Sequence, residues 1–299
     1  MMSVRTLVAL FAICVLPAAC DDRAWFRSDS ALVLVPVTVT DRRGATINGL
    51  KPDVFTVFDD HSPQPIVSFS EQDTPCSVGV ILDLSGSMKD DIVQARATLR
   101  AFLEQADLED EALLMSVSDR PAIHTRFSGD IGTLLDAALA AKPGGSTALV
   151  DTIYLGLHQM RGAHTSRKAL LVISDGMDNH SQYTVRELMS AAIEADVRVH
   201  TIAIDQTPRN RKAIEVVEWQ RGLAFLSDVS QKTGGLHFVV RGGSDIESAA
   251  GSIGKALRNQ YVLGYHPAGL DQSGKWHAIQ VKLGVPDARV HARRGYYSR

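Results

Sequence analysis

The chain has 299 residues, 45% of them hydrophobic and 22% charged, with a formal net charge of −3. This is a globular composition, long enough for one large domain or two ordinary ones, and it excludes a disordered chain. Neither sign of charge dominates, and basic runs such as RNRK at 209–212 are short, so no nucleic-acid partner is expected.

Residues 1–20, MMSVRTLVALFAICVLPAAC, carry one positive charge at Arg5, an apolar core from Leu7 to Leu16 and small residues before Cys20. This pattern predicts a secretory signal peptide, too short to span a bilayer, and places the protein in the periplasm or cell envelope, or outside the cell. The ending PAAC followed by Asp21 and Asp22 resembles a bacterial lipoprotein box, in which Cys20 becomes the lipidated first residue. Pro17 stands where a Leu is usual, so ordinary cleavage nearby fits as well. With Cys20 lipidated, Cys76 is a lone, buried, inert thiol; otherwise a Cys20–Cys76 bridge is open in an oxidising compartment. No other segment reaches the ~18 apolar residues of a membrane span, so membrane contact is expected only through a lipid anchor.

Residues 31–40, ALVLVPVTVT, alternate in the manner of a half-buried strand. DRRGATINGL reads as a turn, VFTVFDD as a second strand and IVSFSEQ as a third, after the Pro-containing HSPQP. The resulting β piece, 31–74, is too small to bury much core alone.

From Ser77 the pattern changes. Apolar strands at 78–84, 112–118, 169–174, 197–204 and 236–240 alternate with helical stretches near 90–106, 130–141, 148–162, 184–195, 223–233 and 244–259. Continuous aliphatic strands between amphipathic helices predict an α/β fold with a doubly wound, mostly parallel sheet over 76–258. The run 205–222, which holds Trp219, reads as a surface loop. After Gln260 the β pattern returns in YVLGYHP, WHAIQVKLG and RVHARRGYY, read as three strands. Two half-size β pieces, 31–74 and 260–299, are expected to pack as one sandwich with the α/β domain inserted between them; a separate C-terminal hairpin is the competing layout.

In a doubly wound sheet, ligands bind in the crevice at the carboxyl ends of the strands. Asp83, Ser85 and Ser87 leave strand 78–84 at that edge; Thr147, in the PGGST loop, and Asp175, in ISDGMDN, occupy equivalent places. Five oxygen donors with no His or Cys suit Mg²⁺ or Mn²⁺ rather than zinc. Hydroxyl ligands would leave the cation incompletely neutralised, able to draw a carboxylate from another molecule.

The DLSGS, GGST and SDG loops resemble, in order and spacing, the metal-ion-dependent adhesion site of von Willebrand factor type A domains, over roughly residues 76–258. The flanks VFTVFDDHSPQPIVSFS, LRNQYVLGYHP and VHARRGYY are similar to a bacterial family of von Willebrand A-related proteins. The resemblance implies that Ser85, Ser87 and Thr147 bind the metal directly and Asp83 and Asp175 directly or through water. The sixth position is left for an Asp or Glu of a partner protein. The threonine loop reads GGSTAL where the family has GGTAL, so Ser146 competes with Thr147; the spacing to Leu149 and Asp151 favours Thr147. Asp178 and Asn179 are read as turn residues.

The expected function is therefore an exported, non-enzymatic binding or adhesion module, with a structural role for the metal as the alternative. A hydrolase has less support. No two His fall at HxxxH or HExxH spacing, SIGK and KTG stand in reversed order for a penicillin-binding enzyme, and Ser85 occupies the place where an aspartyl phosphotransferase needs a second acid.

Overall fold

The computed structural model describes residues 32–105, 107, 109–205, 213–267 and 274–298. The signal segment with Cys20 and the run 206–212 lie outside the described residues. In chain order, β1 (Val33–Thr40), β2 (Phe55–Asp59), β3 (Ser62–Gln64) and β4 (Ser68–Asp73) come first. The α/β run follows as β5 (Cys76–Asp83), α1 (Ile92–Leu103), β6 (Glu111–Val117), β7 (Ala122–Ile123), α2 (Ile131–Ala140), α3 (Leu149–Gln159) and β8 (Arg167–Ser174). It continues through α4 (Val185–Ala195), β9 (Arg198–Ile204), α5 (Ala213–Thr233), β10 (His237–Val240) and α6 (Gly243–Arg258). Finally come β11 (Asn259–Tyr265), β12 (Trp276–Leu283), β13 (Arg289–Ala292) and β14 (Gly295–Tyr297).

The central sheet has the order β10-β9-β8-β5-β6-β7, parallel except for the short antiparallel edge strand β7. Every residue of β5 is buried, because both faces of the sheet are covered. Val78, Val80 and Leu82 pack on one side with Leu99 and Phe102 of α1 and Ile253 and Leu257 of α6. Ile81 and Leu170 pack on the other with Ile153 of α3, Leu188 of α4 and Leu226 of α5. This is the doubly wound α/β architecture expected from the aliphatic strands. Helix α4 starts where Thr184 accepts the Glu187 N–H and Glu187 reaches back, a capping box.

The segment 205–222 is not simply a loop: α5 begins at Ala213. Val216, Trp219, Gly222, Leu226 and Val229 are among its half-buried or buried positions, at a helical period interleaved with exposed Glu218 and Arg221. Gly222 sits there because the backbone of Gly176 packs directly against it.

The remaining strands form two four-stranded antiparallel sheets, β13-β1-β11-β4 and β14-β12-β2-β3. Each combines strands from both ends of the chain; in the first, Val35 pairs with Leu263. Val33, Val35, Val37 and Val39 of β1 share a core with Tyr261, Leu263 and Tyr265 of β11 and with Phe55, Val57 and Ile279 of the second sheet. The sheets thus face one another as a sandwich. The Pro-containing segment HSPQP holds β3, a strand not expected there: Asp60 (φ 45°) and His61 (φ 68°) make a two-residue hairpin, and Pro63 is tolerated on the edge strand that follows. The last segment, read as one strand, divides into β13 and β14, which belong to different sheets. The break falls at Arg293, ion-paired to Asp196, and Arg294, whose N–H donates to the Lys232 carbonyl. Among the described residues no helix is long and apolar enough to cross a membrane.

Candidate metal centre

The chain leaves β5 for β6 on one side and later returns to β8 on the other, so β5 and β8 flank the topological switch point. Leu82 pairs with Ile173, which sets Asp83 beside Ser174 at the carboxyl edge. There the Asp83 Oδ1 accepts the Ser85 N–H at 3.0 Å, and its Oδ2 accepts the Ser174 hydroxyl at 2.6 Å. A line of hydroxyls leads outward: Ser85 Oγ lies 3.1 Å from Ser87 Oγ, which lies 3.5 Å from Thr147 Oγ1. Asp175, next to Ser174, is held by the Met177 N–H on its Oδ1 at 3.0 Å. Asp83, Ser85, Thr147 and Asp175 are buried, and Ser87 is the half-exposed member at the mouth.

The loops are tied to one another through backbone. Gly144 N–H donates to Leu84 O at 2.7 Å, and Gly86 N–H to Gly145 O at 2.9 Å. Asn179 Oδ1 accepts the Thr147 N–H at 2.9 Å, and Asp178 Oδ2 accepts that of Val150 at 2.8 Å. Asp178 also accepts the Ser181 N–H, so these two residues form the turn expected of them and additionally hold the threonine loop and the first turn of α3. Ser146 directs its N–H to exposed Asp119, which keeps that carboxyl below the usual range, while Thr147 is the neighbour whose hydroxyl approaches Ser87.

Burial, and then the nearby charge of Asp175, push the Asp83 carboxyl up to about 7. Two buried acids at one edge are costly unless a cation compensates them. The donor set suits that role: Mg²⁺ at 2.0–2.1 Å would hold adjacent oxygens about 2.9 Å apart, near the Ser85–Ser87 separation of 3.1 Å. Sequence reasoning missed Ser174, whose hydroxyl joins Asp83 to the Gly176 N–H; its place at the end of a strand adjoining the Asp83 strand was the available signal. Cys76 is buried, with its thiol directed at Asp110 Oδ1 at 3.5 Å, and burial pushes it up to about 12.

An α/β sheet with oxygen donors gathered at its switch point defines a class of ligand-binding domain. Residues 78–177 match the von Willebrand factor type A domain family, and the chain carries a domain of that family. A von Willebrand factor type A structure from Catenulispora acidiphila is 10% identical and matches over 90% of this chain and 74% of its own, with a TM-score of 0.51. BatB from Bacteroides thetaiotaomicron is 17% identical over 60% of this chain and 98% of its own, TM-score 0.44. An aerotolerance-related membrane protein from Bacteroides fragilis is 16% identical over 61% and 98%, TM-score 0.46. At these identities the likeness concerns fold. No curated protein matches the sequence.

Proposed function

We propose that the chain is an exported binding protein whose α/β domain captures an acidic group of a partner protein through Mg²⁺ or Mn²⁺. Ser85, Ser87 and Thr147 would hold the ion directly, and Asp83 and Asp175 directly or through water. The bound ion would supply a positive centre for an Asp or Glu carboxylate. The observation that carries this reading is the pairing of two buried acids with a hydroxyl line that reaches the surface at Ser87. Neutral hydroxyls compensate the cation less than carboxylates would, which favours one further anionic ligand. Ser174 and Asn179 act by orientation, fixing Asp83 and Thr147. Nothing in this scheme needs a catalytic base. Export follows from the signal-like residues 1–20, with a lipid tether if Cys20 is acylated.

The test is retention of envelope proteins by the immobilised chain in Mg²⁺, in EDTA and with Asp83→Ala. A partner retained only by the wild type in Mg²⁺ is expected; equal retention in all three conditions contradicts the proposal. Burial of Asp83 also favours a second reading, in which the cation chiefly stabilises the fold. Asp83→Ala would then lower the melting temperature in Mg²⁺ while leaving partner affinity unchanged.

A further inference from the structure

In the sandwich, outside the parallel sheet, β12 pairs with β2 so that Ile279 faces Asp59. The hairpin turn after β2 then brings Asp60 beside His277, and Asp59, Asp60 and His277 each place one ligand atom within 4.8 Å of the others. Asp59 is 5% exposed, and its Oδ1 has no hydrogen-bond partner. A buried carboxylate oxygen without a donor is costly enough to require an explanation.

The surroundings show that this oxygen is aimed at the cluster. Its twin, Oδ2, accepts the hydroxyls of both Tyr265 and Tyr296, at 2.8 and 3.0 Å. Asp60 is arranged alike: its Oδ1 accepts the Ala278 N–H at 2.9 Å, and its own N–H donates to Ala278 O at 2.9 Å, which leaves Oδ2 facing His277. The His277 ring stacks on Tyr296, with centroids 5.2 Å apart and planes at 18°, so its direction is fixed too. Each of the three side chains is therefore held through one part while a single ligand atom is directed inward, the arrangement that outer contacts impose on metal ligands.

We propose that Asp59, Asp60 and His277 form a second cation site, specific for Zn²⁺ and separate from the all-oxygen site at the switch point. One imidazole and two carboxylates are a zinc donor set, and a tetrahedral zinc spaces its ligand atoms about 3.3 Å apart. His277 Nδ1 stands 2.9 Å from Asp60 Oδ2 and 3.7 Å from Asp59 Oδ1, on either side of that value. Asp60 is half-exposed, which gives the ion an entry path and water access to the fourth position. The alternative is an ordinary ion pair between protonated His277 and the two acids; it leaves Asp59 Oδ1 beyond hydrogen-bond reach at 3.7 Å.

Co²⁺ serves as the spectroscopic probe, titrated into the full chain in excess Mg²⁺ and followed by its visible absorption. The expected result is saturation at one equivalent, displacement by Zn²⁺ and no change in Asp83→Ala. Affinity should fall at least tenfold in Asp60→Asn and in His277→Gln, with circular dichroism confirming that both variants fold. Absence of a saturable band, or a band that either of these two variants leaves undiminished, overturns the proposal. The Asp83→Ala arm separates failure here from failure at the switch-point site.

Discussion

At the carboxyl edge of the parallel sheet, Asp83 and Asp175 are buried among hydroxyls and backbone N–H groups; in the sandwich, Asp59 is buried among two phenols and an imidazole. The first setting places hydroxyl and backbone N–H donors around its acids. The second carries its own potential cation in His277. The two regions also differ in how the chain makes them. The sheet that bears Asp83 comes from one continuous stretch, whereas each sandwich sheet interleaves strands from both ends. Damage to either terminus should therefore act on the sandwich first.

The largest effect is expected on truncation after Arg258. This removes β11 from between β1 and β4, and β12 from between β14 and β2, exposing Val35, Val37 and Val57. Loss of soluble, cooperatively unfolding protein is the expected outcome; an unchanged melting temperature would show that the ends do not depend on one another. Next in size, Gly176→Ala should destabilise by roughly 2–3 kcal/mol. Gly176 has φ +81°, and an added Cβ would stand 2.5 Å from the Gly222 carbonyl carbon. Chemical denaturation measures the loss, which should weaken Mg²⁺ binding as well, because Asp175 is the adjoining residue.

Smaller effects concern pH. The folded Asp83 carboxyl lies at about 7, above the ordinary aspartate value of 3.8, so the folded chain binds more protons than the unfolded one between these values. Metal-free stability should accordingly fall as pH rises through that window. Asp83→Asn should flatten the fall and raise metal-free stability at pH 8, by on the order of 2 kcal/mol. In the sandwich the sign is opposite. Burial lowers His291 from 6.5 to about 4, so there the unfolded chain takes the proton first and stability is lost as pH falls through that interval. His291→Gln should reduce this acid sensitivity by on the order of 1 kcal/mol, read from melting curves at pH 7 and pH 5.

The parallel strands were legible because burial on both faces removes alternation and leaves unbroken aliphatic runs such as VGVILDL. The three oxygen loops were legible because each follows a strand or precedes a helix at a position the α/β topology fixes. The first half of α5 was not, since Gly222 and the charges around Trp219 obscure a period set by packing against the Gly176 loop. Nor was the division of β13 from β14, which depends on contacts of Arg293 and Arg294 with distant residues. Asp59, Asp60 and His277 are brought together only by strand pairing between the two ends of the chain, and no local spacing announces them.

The most direct test of the central claim is calorimetric titration of Mg²⁺ and Mn²⁺ into the EDTA-stripped full chain, alongside Asp83→Ala. The account predicts saturable binding at one site in the wild type and none in the variant. Equal heats from both proteins, or no saturable binding in either, would contradict a cation site built on Asp83, Ser85, Ser87, Thr147 and Asp175.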